Sequence, residues 1–230
     1  MRLLLVASTP MEFRGILAHA QASRRMSVGA DWARTARLSG HEVLLVANGV
    51  GARRAAAAVD AAWSVFPADR VITVGFCGAL DTGLRIAEVV IGTCIAATSR
   101  RYSVLPLTGP AGASGIIRSV DRIARTAVEK HALHATGGIA VEMEAAGVAE
   151  RAEALGLPCS CVKVVTDLAG EDMANDFNRA LRSDGHFATM RIFGDALRHP
   201  AARIPELIRL QRRCVRAART LGEFLADCRF

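Results

Sequence analysis

Aromatic residues, metal-binding spacings and long apolar stretches are scarce in this sequence. Aromatics form only 5% of the 230 residues and are not interleaved with the basic ones, so we expect no nucleic-acid binding despite a formal charge of +7. The six cysteines form no CxxC pair and no zinc spacing with histidine, which predicts buried thiols, no metal and no cofactor. No apolar stretch is long enough for a signal peptide or a membrane span, which predicts a cytoplasmic location.

The phosphate-binding motifs of the common nucleotide folds are also missing. The sequence contains neither GxGxxG nor GxxxxGK followed by Ser or Thr, which argues against dinucleotide and P-loop binding. Hydrophobic residues, by contrast, make up 51% of the chain, as is typical of a globular protein. A chain of this length can bury one large core, so we predict one domain spanning residues 1–230.

Short apolar strands alternate with helices along the chain. We predict strands at residues 3–7, 43–47, 71–74, 89–97, 139–143 and 159–166, and helices at 52–63, 121–134 and 145–155. Residues 100–114 carry the prolines and polar breakers of a loop. This alternation predicts an α/β domain with a twisted, mixed and largely parallel central sheet flanked by helices.

Much of the positive charge lies near the C-terminus, in an amphipathic pattern. Apolar residues recur at three- and four-residue steps across about residues 205–228, with arginines between them. We predict a helix whose arginines form the solvated face, introduced by residues 199–205 without a domain boundary. The alternative is an arginine-rich nucleic-acid binder, which would show a strongly salt-dependent affinity.

Carboxylates follow several of the predicted strands. Glu12 comes after the first strand, Glu142 and Glu144 flank Met143, and Asp167 follows the strand at 159–166. Each acid also has an ordinary interpretation as a first-turn or capping residue of a helix. Ligands of open parallel sheets bind beyond the carboxyl ends of strands, where paired carboxylates suit acid–base chemistry and hydroxyl binding. We therefore predict that these acids share a site.

Two glycine-containing segments also follow strands. Residues 49–51 (Gly-Val-Gly) and 75–78 (Gly-Phe-Cys-Gly) allow the backbone to approach a phosphate or a sugar closely, and they could equally form tight turns. His131 and His134 fall on a predicted exposed helix face, so we expect neither to be a ligand or a catalyst.

The segment Val-Glu-Met-Glu-Ala-Ala-Gly at residues 141–147 resembles the Glu-Met-Glu signature of the purine nucleoside phosphorylase and methylthioadenosine/S-adenosylhomocysteine nucleosidase superfamily. Residues 48–51 are similar to that family's Gly-x-Gly turn, residues 75–78 to its sugar-site segment, and residues 165–167 to its Ser-Asp strand end. The resemblance covers about residues 1–170. It implies a nucleoside phosphorylase/nucleosidase-like fold and an enzyme that cleaves the N-glycosidic bond of a purine nucleoside.

The resemblance also implies a role for each site residue. Met143 and Glu144 bind the ribose, with Glu142 assisting, and Asp167 donates a proton to purine N7 so that the base leaves neutral. General acid help of this kind contributes about 10²–10⁴ in rate. The further residues implied to line the substrate site are Gly49, Gly51, Gly75 and Phe76.

Three positions favour water over phosphate as the nucleophile. Glu12 stands where nucleosidases of the family carry the glutamate that activates water, and its charge would repel phosphate. Phe76 replaces the hydroxyl residue of the phosphorylases, and the residues after Asp167 resemble the nucleosidase continuation. Phosphorolysis giving ribose 1-phosphate is the alternative, including a hopanoid-associated phosphorylase-type activity. The candidate phosphate ligands are Arg14, Arg53 and Arg54.

The expected substrate is a 5′-modified adenosine-type nucleoside. Ile123 is the nearest apolar substitute for the family's base-stacking phenylalanine, and Asp121 is a candidate contact near the base. The family's substrates include methylthioadenosine, S-adenosylhomocysteine, futalosine and adenosylhopane-type nucleosides, and the short segment 97–114 leaves the 5′ group undetermined. A nucleoside-binding module is the non-enzyme alternative. The resemblance implies a homodimer or higher homo-oligomer.

Overall fold

The computed structural model describes residues 1–230 and has a ten-stranded central sheet. Its central strands consist of continuous apolar runs because both of their faces are covered, and every residue of the last strand is buried. The strands are β1 (Arg2–Ala7), β2 (Gln21–Arg25), β3 (Trp32–Leu38), β4 (His41–Ala47), β5 (Arg70–Ala79), β6 (Val89–Ala96), β7 (Arg101–Ser103), β8 (Ala113–Ser119), β9 (Gly138–Glu142) and β10 (Cys159–Asp167).

The sheet is mixed, and its centre is parallel, as predicted. Strands β4, β1, β5 and β10 are successive parallel neighbours. Strands β6, β8 and β9 form a second parallel group, which joins β10 and β5 through antiparallel pairings. An antiparallel edge of β2 and β3 extends from β4. The carboxyl ends of β1, β4, β5 and β10 therefore meet at the same edge of the sheet.

Helices cover both faces of this sheet. Helices α2 (Ala52–Trp63) and α4 (Ala145–Ala154) bury Val59 and Val148 in one apolar core. Helices α1 (Arg14–His19) and α7 (Pro200–Ala226) bury Ile16 and Leu221 in a second core on the other face. No helix combines the length and apolar character needed to cross a bilayer. The helices are α1 (Arg14–His19), preceded by a 3-10 turn (Pro10–Phe13), α2 (Ala52–Trp63), α3 (Ala127–His134), α4 (Ala145–Ala154), α5 (Phe177–Ala180), α6 (Thr189–Arg198) and α7 (Pro200–Ala226).

Two helix crossings bring backbone against backbone. A Cβ atom on Gly15 of α1 would lie 1.9 Å from the carbonyl oxygen of Ala218 in α7. A Cβ atom on Gly147 of α4 would lie 1.9 Å from the carbonyl oxygen of Ala52 in α2. Glycine is therefore required at both crossings by space, and the two pairs of helices pack more closely than side chains would allow.

The structure departs from the sequence-based prediction in several places. The helix predicted at 121–134 begins only at Ala127, where Thr126 caps it through a hydrogen bond from the Glu129 amide. The predicted loop at 100–114 contains β7 and the start of β8. The β2–β3 hairpin, α5 and α6 were not predicted, and β5 continues to Ala79, so residues 75–78 lie within that strand and not after it. The last helix begins at Pro200, because a proline is tolerated in the first turn, and residues 199–205 are mostly helical rather than a connecting segment.

Candidate active site

The ends of several strands bring the predicted acids to one cavity. This cavity has a volume of about 420 Å³ and is lined by 25 residues, of which 16 are hydrophobic. Such a size and lining suit a small organic ligand with a few fixed polar contacts. Among the predicted site residues, those that line the cavity are Glu12, Phe76, Glu142, Met143, Glu144 and Asp167.

Glu12 is buried, and hydrogen bonds hold both of its carboxylate oxygens. Oε2 accepts from the Ser8 hydroxyl at 2.8 Å, the Thr9 amide at 2.6 Å and the Thr9 hydroxyl at 3.1 Å. Oε1 accepts from the Phe76 amide at 3.0 Å. Glu12 therefore caps its helical turn, as the ordinary interpretation holds, and also lines the cavity. Only one donor reaches Oε1, which leaves acceptor capacity for a water molecule or a hydroxyl.

Gly75 lies directly beneath this carboxylate. Its φ is +129°, and a Cβ atom there would lie 2.2 Å from Glu12 Oε1. Both the backbone conformation and the space above it require glycine. The role of Gly75 is therefore to let Glu12 reach the Phe76 amide, and Gly75 itself does not line the cavity.

Glu144 follows β9 and is held by the glycine turn after β4. Its Oε1 accepts a hydrogen bond from the Gly51 amide at 2.9 Å. Burial and the neighbouring carboxylate of Glu142 raise the pKa of Glu144 to about 7, with Lys163 opposing the rise. Gly51 has a φ of +107° and Gly49 a φ of +82°, so this turn needs glycine. The Gly51 amide therefore positions Glu144, and Gly51 lines a second, adjacent cavity, while Gly49 lines neither cavity.

Glu142 is paired with a lysine inside the protein. Lys163 Nζ lies 2.9 Å from Glu142 Oε2, and both side chains are at most 1% exposed. The same oxygen accepts hydrogen bonds from the amides of Glu144 and Ala145, at the start of α4. Glu142 therefore fixes the backbone of Glu144, and its predicted contact with substrate stays a prediction.

Asp167 is paired with the other lysine of the site. Lys130 Nζ lies 2.6 Å from Asp167 Oδ2 and donates to the carbonyl oxygens of Leu168 at 2.7 Å and Glu171 at 3.3 Å. The Thr166 hydroxyl donates to Asp167 Oδ1 at 3.2 Å. Burial raises the pKa of Asp167, and the Lys130 charge opposes this rise. Asp167 is thus a carboxyl group that can hold a proton more readily than an exposed aspartate.

The two lysines were not singled out from the sequence. They are the only lysines in the chain, and both are almost completely buried. A lysine in an apolar strand, such as Lys163 in β10, requires a buried partner, and this was the available signal. Lys130 gave a weaker signal because it lies in a polar helical segment.

The cavity continues beyond the acids into an apolar region. Its wall there comes from Phe177, Phe187, Ile192, Leu207 and Leu210 of the C-terminal part of the chain. This region lies outside the predicted site, because the family motifs end near residue 170.

The two side chains predicted near the purine base, Ile123 and Asp121, line different cavities. Ile123 lines the main cavity, and Asp121 lines a neighbouring one of about 480 Å³. His131 and His134 line neither of these cavities. His134 instead bonds the Gly138 carbonyl at 2.8 Å.

None of the three predicted phosphate ligands lines the main cavity. Arg14 is exposed on α1, and Arg54 bonds Asp31 at 2.5 Å. Arg53 lines only the neighbouring cavity. The single arginine lining the main cavity is Arg122, which pairs with Glu129 at 2.8 Å.

No cluster of His, Cys, Asp or Glu side chains has the grouping needed to hold a metal ion. Five of the six cysteines are buried and Cys94 is half-buried. Burial raises the pKa of Cys77, which lines the cavity, so this thiol is a poor nucleophile.

A family model described as the phosphorylase superfamily matches residues 2–111 and 108–190. The chain belongs to this superfamily. A 5′-methylthioadenosine/S-adenosylhomocysteine nucleosidase of Marinomonas sp. (strain MWYL1) is 27% identical over 177 residues, which cover 64% of this chain and 77% of the relative. A Mycobacterium bovis protein of the same name is 24% identical, with 76% and 89% covered.

Solved structures show the same fold. The S-adenosylhomocysteine nucleosidase of Streptococcus pyogenes, in complex with 5-methylthiotubericidin, superposes with a TM-score of 0.75 at 18% identity, covering 98% of this chain and 94% of that one. The predicted family and fold class are thereby confirmed. The predicted enzyme class, an N-glycosidase, agrees with the names of the curated relatives.

Proposed function

We propose that this superfamily member hydrolyses the N-glycosidic bond of a purine nucleoside with a modified 5′ group. The observation that carries the proposal is the placement of Glu12, Glu144 and Asp167 on one cavity. A water base, a hydroxyl acceptor and a general acid are the three groups that such a cleavage needs.

Asp167 is the proposed general acid. The C1′–N9 bond breaks through an oxocarbenium-like state, and a proton passed from Asp167 to purine N7 lets the base leave neutral. Burial favours the protonated carboxyl needed for this step. Lys130 holds the same carboxyl at 2.6 Å and stabilises the carboxylate that remains after the transfer.

Glu144 is the proposed acceptor for the ribose hydroxyls, packed beside Met143. Hydrogen bonds to a carboxylate are stronger than those to a neutral acceptor, and they strengthen as positive charge develops on the sugar. Only the ionised carboxylate can accept a hydrogen bond from each of the two ribose hydroxyl groups. Because the pKa of Glu144 is about 7, ribose binding should improve as the pH rises through that value.

Glu12 is the proposed base for the attacking water. The water oxygen bonds to C1′, and the proton it releases goes to Glu12 Oε1, which has acceptor capacity to spare. The Ser8, Thr9 and Phe76 donors fix the carboxylate in place for this transfer. The apolar region of the cavity is suited to a 5′ substituent with hydrophobic character, and the curated relatives are named for methylthio and homocysteine derivatives of adenosine.

The first prediction tests the nucleophile. Adenosine, 5′-methylthioadenosine and S-adenosylhomocysteine should be incubated with the protein with and without phosphate, and the released base and sugar identified by chromatography. We expect free base and a free ribose derivative in phosphate-free buffer. Glu12→Gln should lower turnover at least about 100-fold, because the carboxylate that deprotonates water is lost. Nucleoside binding should be retained, because the contacts with the sugar and the purine remain.

The exposed Glu42→Gln serves as the matched control and should keep full turnover. Strict dependence on phosphate with a ribose 1-phosphate product would replace hydrolysis by phosphorolysis. Tight binding of nucleosides without any turnover would instead support a binding module.

A further inference from the structure

Exposed apolar side chains are concentrated on two consecutive helices. Ten large hydrophobic residues of the chain are exposed, and six of them lie on α6 and α7. Met190 is 84% exposed and Leu197 is 69% exposed, which is unusual for residues of this size. The six residues, which we call the α6–α7 face, are Met190, Phe193, Leu197, Ile204, Ile208 and Val215.

Their spacing shows that these residues form helix faces rather than scattered positions. In α6 the exposed residues stand at steps of three and four, while Ala196 is buried and Ile192 lines the cavity. In α7 the steps are four and seven, and the adjacent Leu207 lines the cavity. Each helix therefore has an inner apolar side that belongs to the fold and an outer apolar side without a partner in the chain.

The same helices carry most of the net charge of the protein. Residues 189–226 contain eight arginines and three acidic residues, a balance of +5 within a chain whose formal charge is +7. Several of these arginines are paired, for example Arg213 with Glu171. Those that are exposed and form no ion pair are Arg191, Arg209, Arg212 and Arg216.

We propose that the α6–α7 face docks on an anionic lipid bilayer. A helix with large apolar residues on one side and arginines beside them can lie in the membrane interface, with the apolar side chains below the headgroups and the guanidinium groups on lipid phosphates. The charge of this face is complementary to such a surface. It opposes a symmetric contact with a second copy, because the arginines of the two copies would face each other.

Nucleic acid fits the charge of this face but leaves its apolar residues unexplained. Methionine, leucine and isoleucine side chains contribute little to contacts with phosphates, and the only aromatic residue of the face is Phe193. An anionic bilayer would contact both the arginines and the apolar side chains of this face. Docking in this way would place the membrane next to the apolar end of the cavity, because Ile192 and Leu207 line that end from the same two helices.

The test is co-sedimentation of the full chain with vesicles. Vesicles of phosphatidylcholine alone are compared with vesicles that contain about one third phosphatidylglycerol, at low and high salt. We expect binding to the anionic vesicles only, weakened by salt. Phe193→Ser/Leu197→Ser and Arg212→Glu/Arg216→Glu should each lower the apparent affinity at least about tenfold.

Matched control variants carry the same changes elsewhere. Val128 is 80% exposed on α3, and Arg24 and Arg25 are exposed on β2, so Val128→Ser and Arg24→Glu/Arg25→Glu should bind as the wild type does. Circular dichroism and thermal unfolding verify that every variant is folded. Absence of binding to anionic vesicles would overturn the proposal, as would an equal loss in the control variants.

Two further outcomes would assign the face to another occupant. If Phe193→Ser/Leu197→Ser converted an oligomer to a monomer in light scattering without changing vesicle binding, the face would be a contact between copies of the chain. If a DNA or RNA duplex displaced the protein from vesicles and bound the Phe193→Ser/Leu197→Ser variant equally well, the arginines alone would be the binding determinant. Because vesicle binding is measured without a nucleoside, failure here leaves the proposed hydrolysis unaffected.

Discussion

A buried carboxylate needs a cation, several donors or a proton, and the acids of this cavity differ in which they have. Glu142 and Asp167 each have a lysine, and Glu12 has four donors. Glu144 has one amide donor and lies beside another carboxylate. It is therefore the least compensated of the four, which is why its pKa rises to about 7.

The second prediction follows from this imbalance. The folded-state pKa of Glu144 exceeds its ordinary value of 4.5, so its protonated form favours folding at low pH and this stabilisation is lost as the pH rises from about 4.5 to about 7. Glu144→Gln should remove a penalty of up to about 3 kcal/mol at pH values above 7. It should also lower catalytic efficiency at least about tenfold by weakening the ribose contacts.

Urea denaturation near pH 5 and pH 8 measures the effect of Glu144→Gln on the free energy of unfolding. The values of kcat/KM with ribo and 2′-deoxy substrates measure the contact of Glu144 with the ribose hydroxyls. The exposed Glu153→Gln is the control and should change neither. A Gln variant that is less stable than the wild type at pH 8 would contradict this account of the Glu144 environment. Equal rates for ribo and deoxy substrates in the wild type would contradict its role on the sugar.

The third prediction separates the catalytic and structural roles of Asp167. Asp167→Asn should lower turnover at least about 100-fold, because an amide cannot donate the proton to the base. It also leaves the fully buried Lys130 without its carboxylate, which should cost about 3 kcal/mol of stability. The double variant Asp167→Asn/Lys130→Met should regain stability and stay inactive.

Release of free base and denaturant unfolding are measured on the same preparations. Near wild-type turnover in folded Asp167→Asn would remove Asp167 from the acid role. If the double variant were no more stable than the single one, the ion pair would not be the source of the loss.

At the scale of elements, the strands buried on both faces were predictable and the polar edge strands were not. The runs that became β1, β4 and β10 are continuous and apolar, so their place in the sheet follows from burial alone. Strands β2 and β7 are mostly exposed and polar, and they exist because a neighbouring strand offers hydrogen bonds. No local pattern contains that information.

The site shows the same division. The carboxylates were predictable because strand ends and the Glu-Met-Glu segment mark them in the sequence. Their partners were not: Lys130 and Lys163 meet them only after the chain has folded, and the apolar wall from α6 and α7 lies outside the recognised motifs. Gly75 and Gly51 were predicted as ligand contacts, which stays a prediction, and the structure adds a supporting role: Gly75 leaves room for Glu12, and the Gly51 amide donates to Glu144.

The fourth prediction tests the supporting role of Gly75 in β5. Gly75→Ala would place a methyl group 2.2 Å from Glu12 Oε1, so the carboxylate must move and turnover should fall about as far as in Glu12→Gln. The control is Gly40→Ala in the β3–β4 turn, where φ is also positive, at +81°, and nothing lies within 4 Å of the added atom. Gly40→Ala should cost only the backbone strain of about 1–3 kcal/mol and retain turnover.

Turnover and thermal unfolding are measured for Gly75→Ala and Gly40→Ala. If Gly75→Ala kept full activity, Glu12 would not need its present position, and its assignment as the water base would be wrong. If both variants lost activity equally, strain rather than contact with Glu12 would be responsible.

At the scale of the whole molecule, the two kinds of cation are divided between interior and surface. The only two lysines are buried beside the site acids, while the arginines supply the other Lys/Arg charge and are mostly exposed. A lysine presents a compact charge to a single carboxylate in a closed space, whereas a guanidinium group needs a wider planar arrangement of acceptors. The amino groups of these two lysines should therefore become accessible to solvent only when the core unfolds.

The fifth prediction uses this division. An amine-reactive acetylating reagent should label the α-amino group of the exposed Met1 quickly in the native protein and leave Lys130 and Lys163 unmodified, because both lysines have to be freed by unfolding before they react. With the few kcal/mol of stability usual for a domain, labelling of each lysine should be at least about 1,000-fold slower in the native protein than in urea. Peptide mass spectrometry over a time course reads all three amines in one sample, so Met1 is the internal control. In urea the two lysines should react at comparable rates, and these rates are the reference for the rates in the native protein. Rapid native labelling of Lys130 alone would show that the region around Asp167 opens independently of the core, and rapid labelling of both lysines would contradict the buried ion pairs on which the site is built.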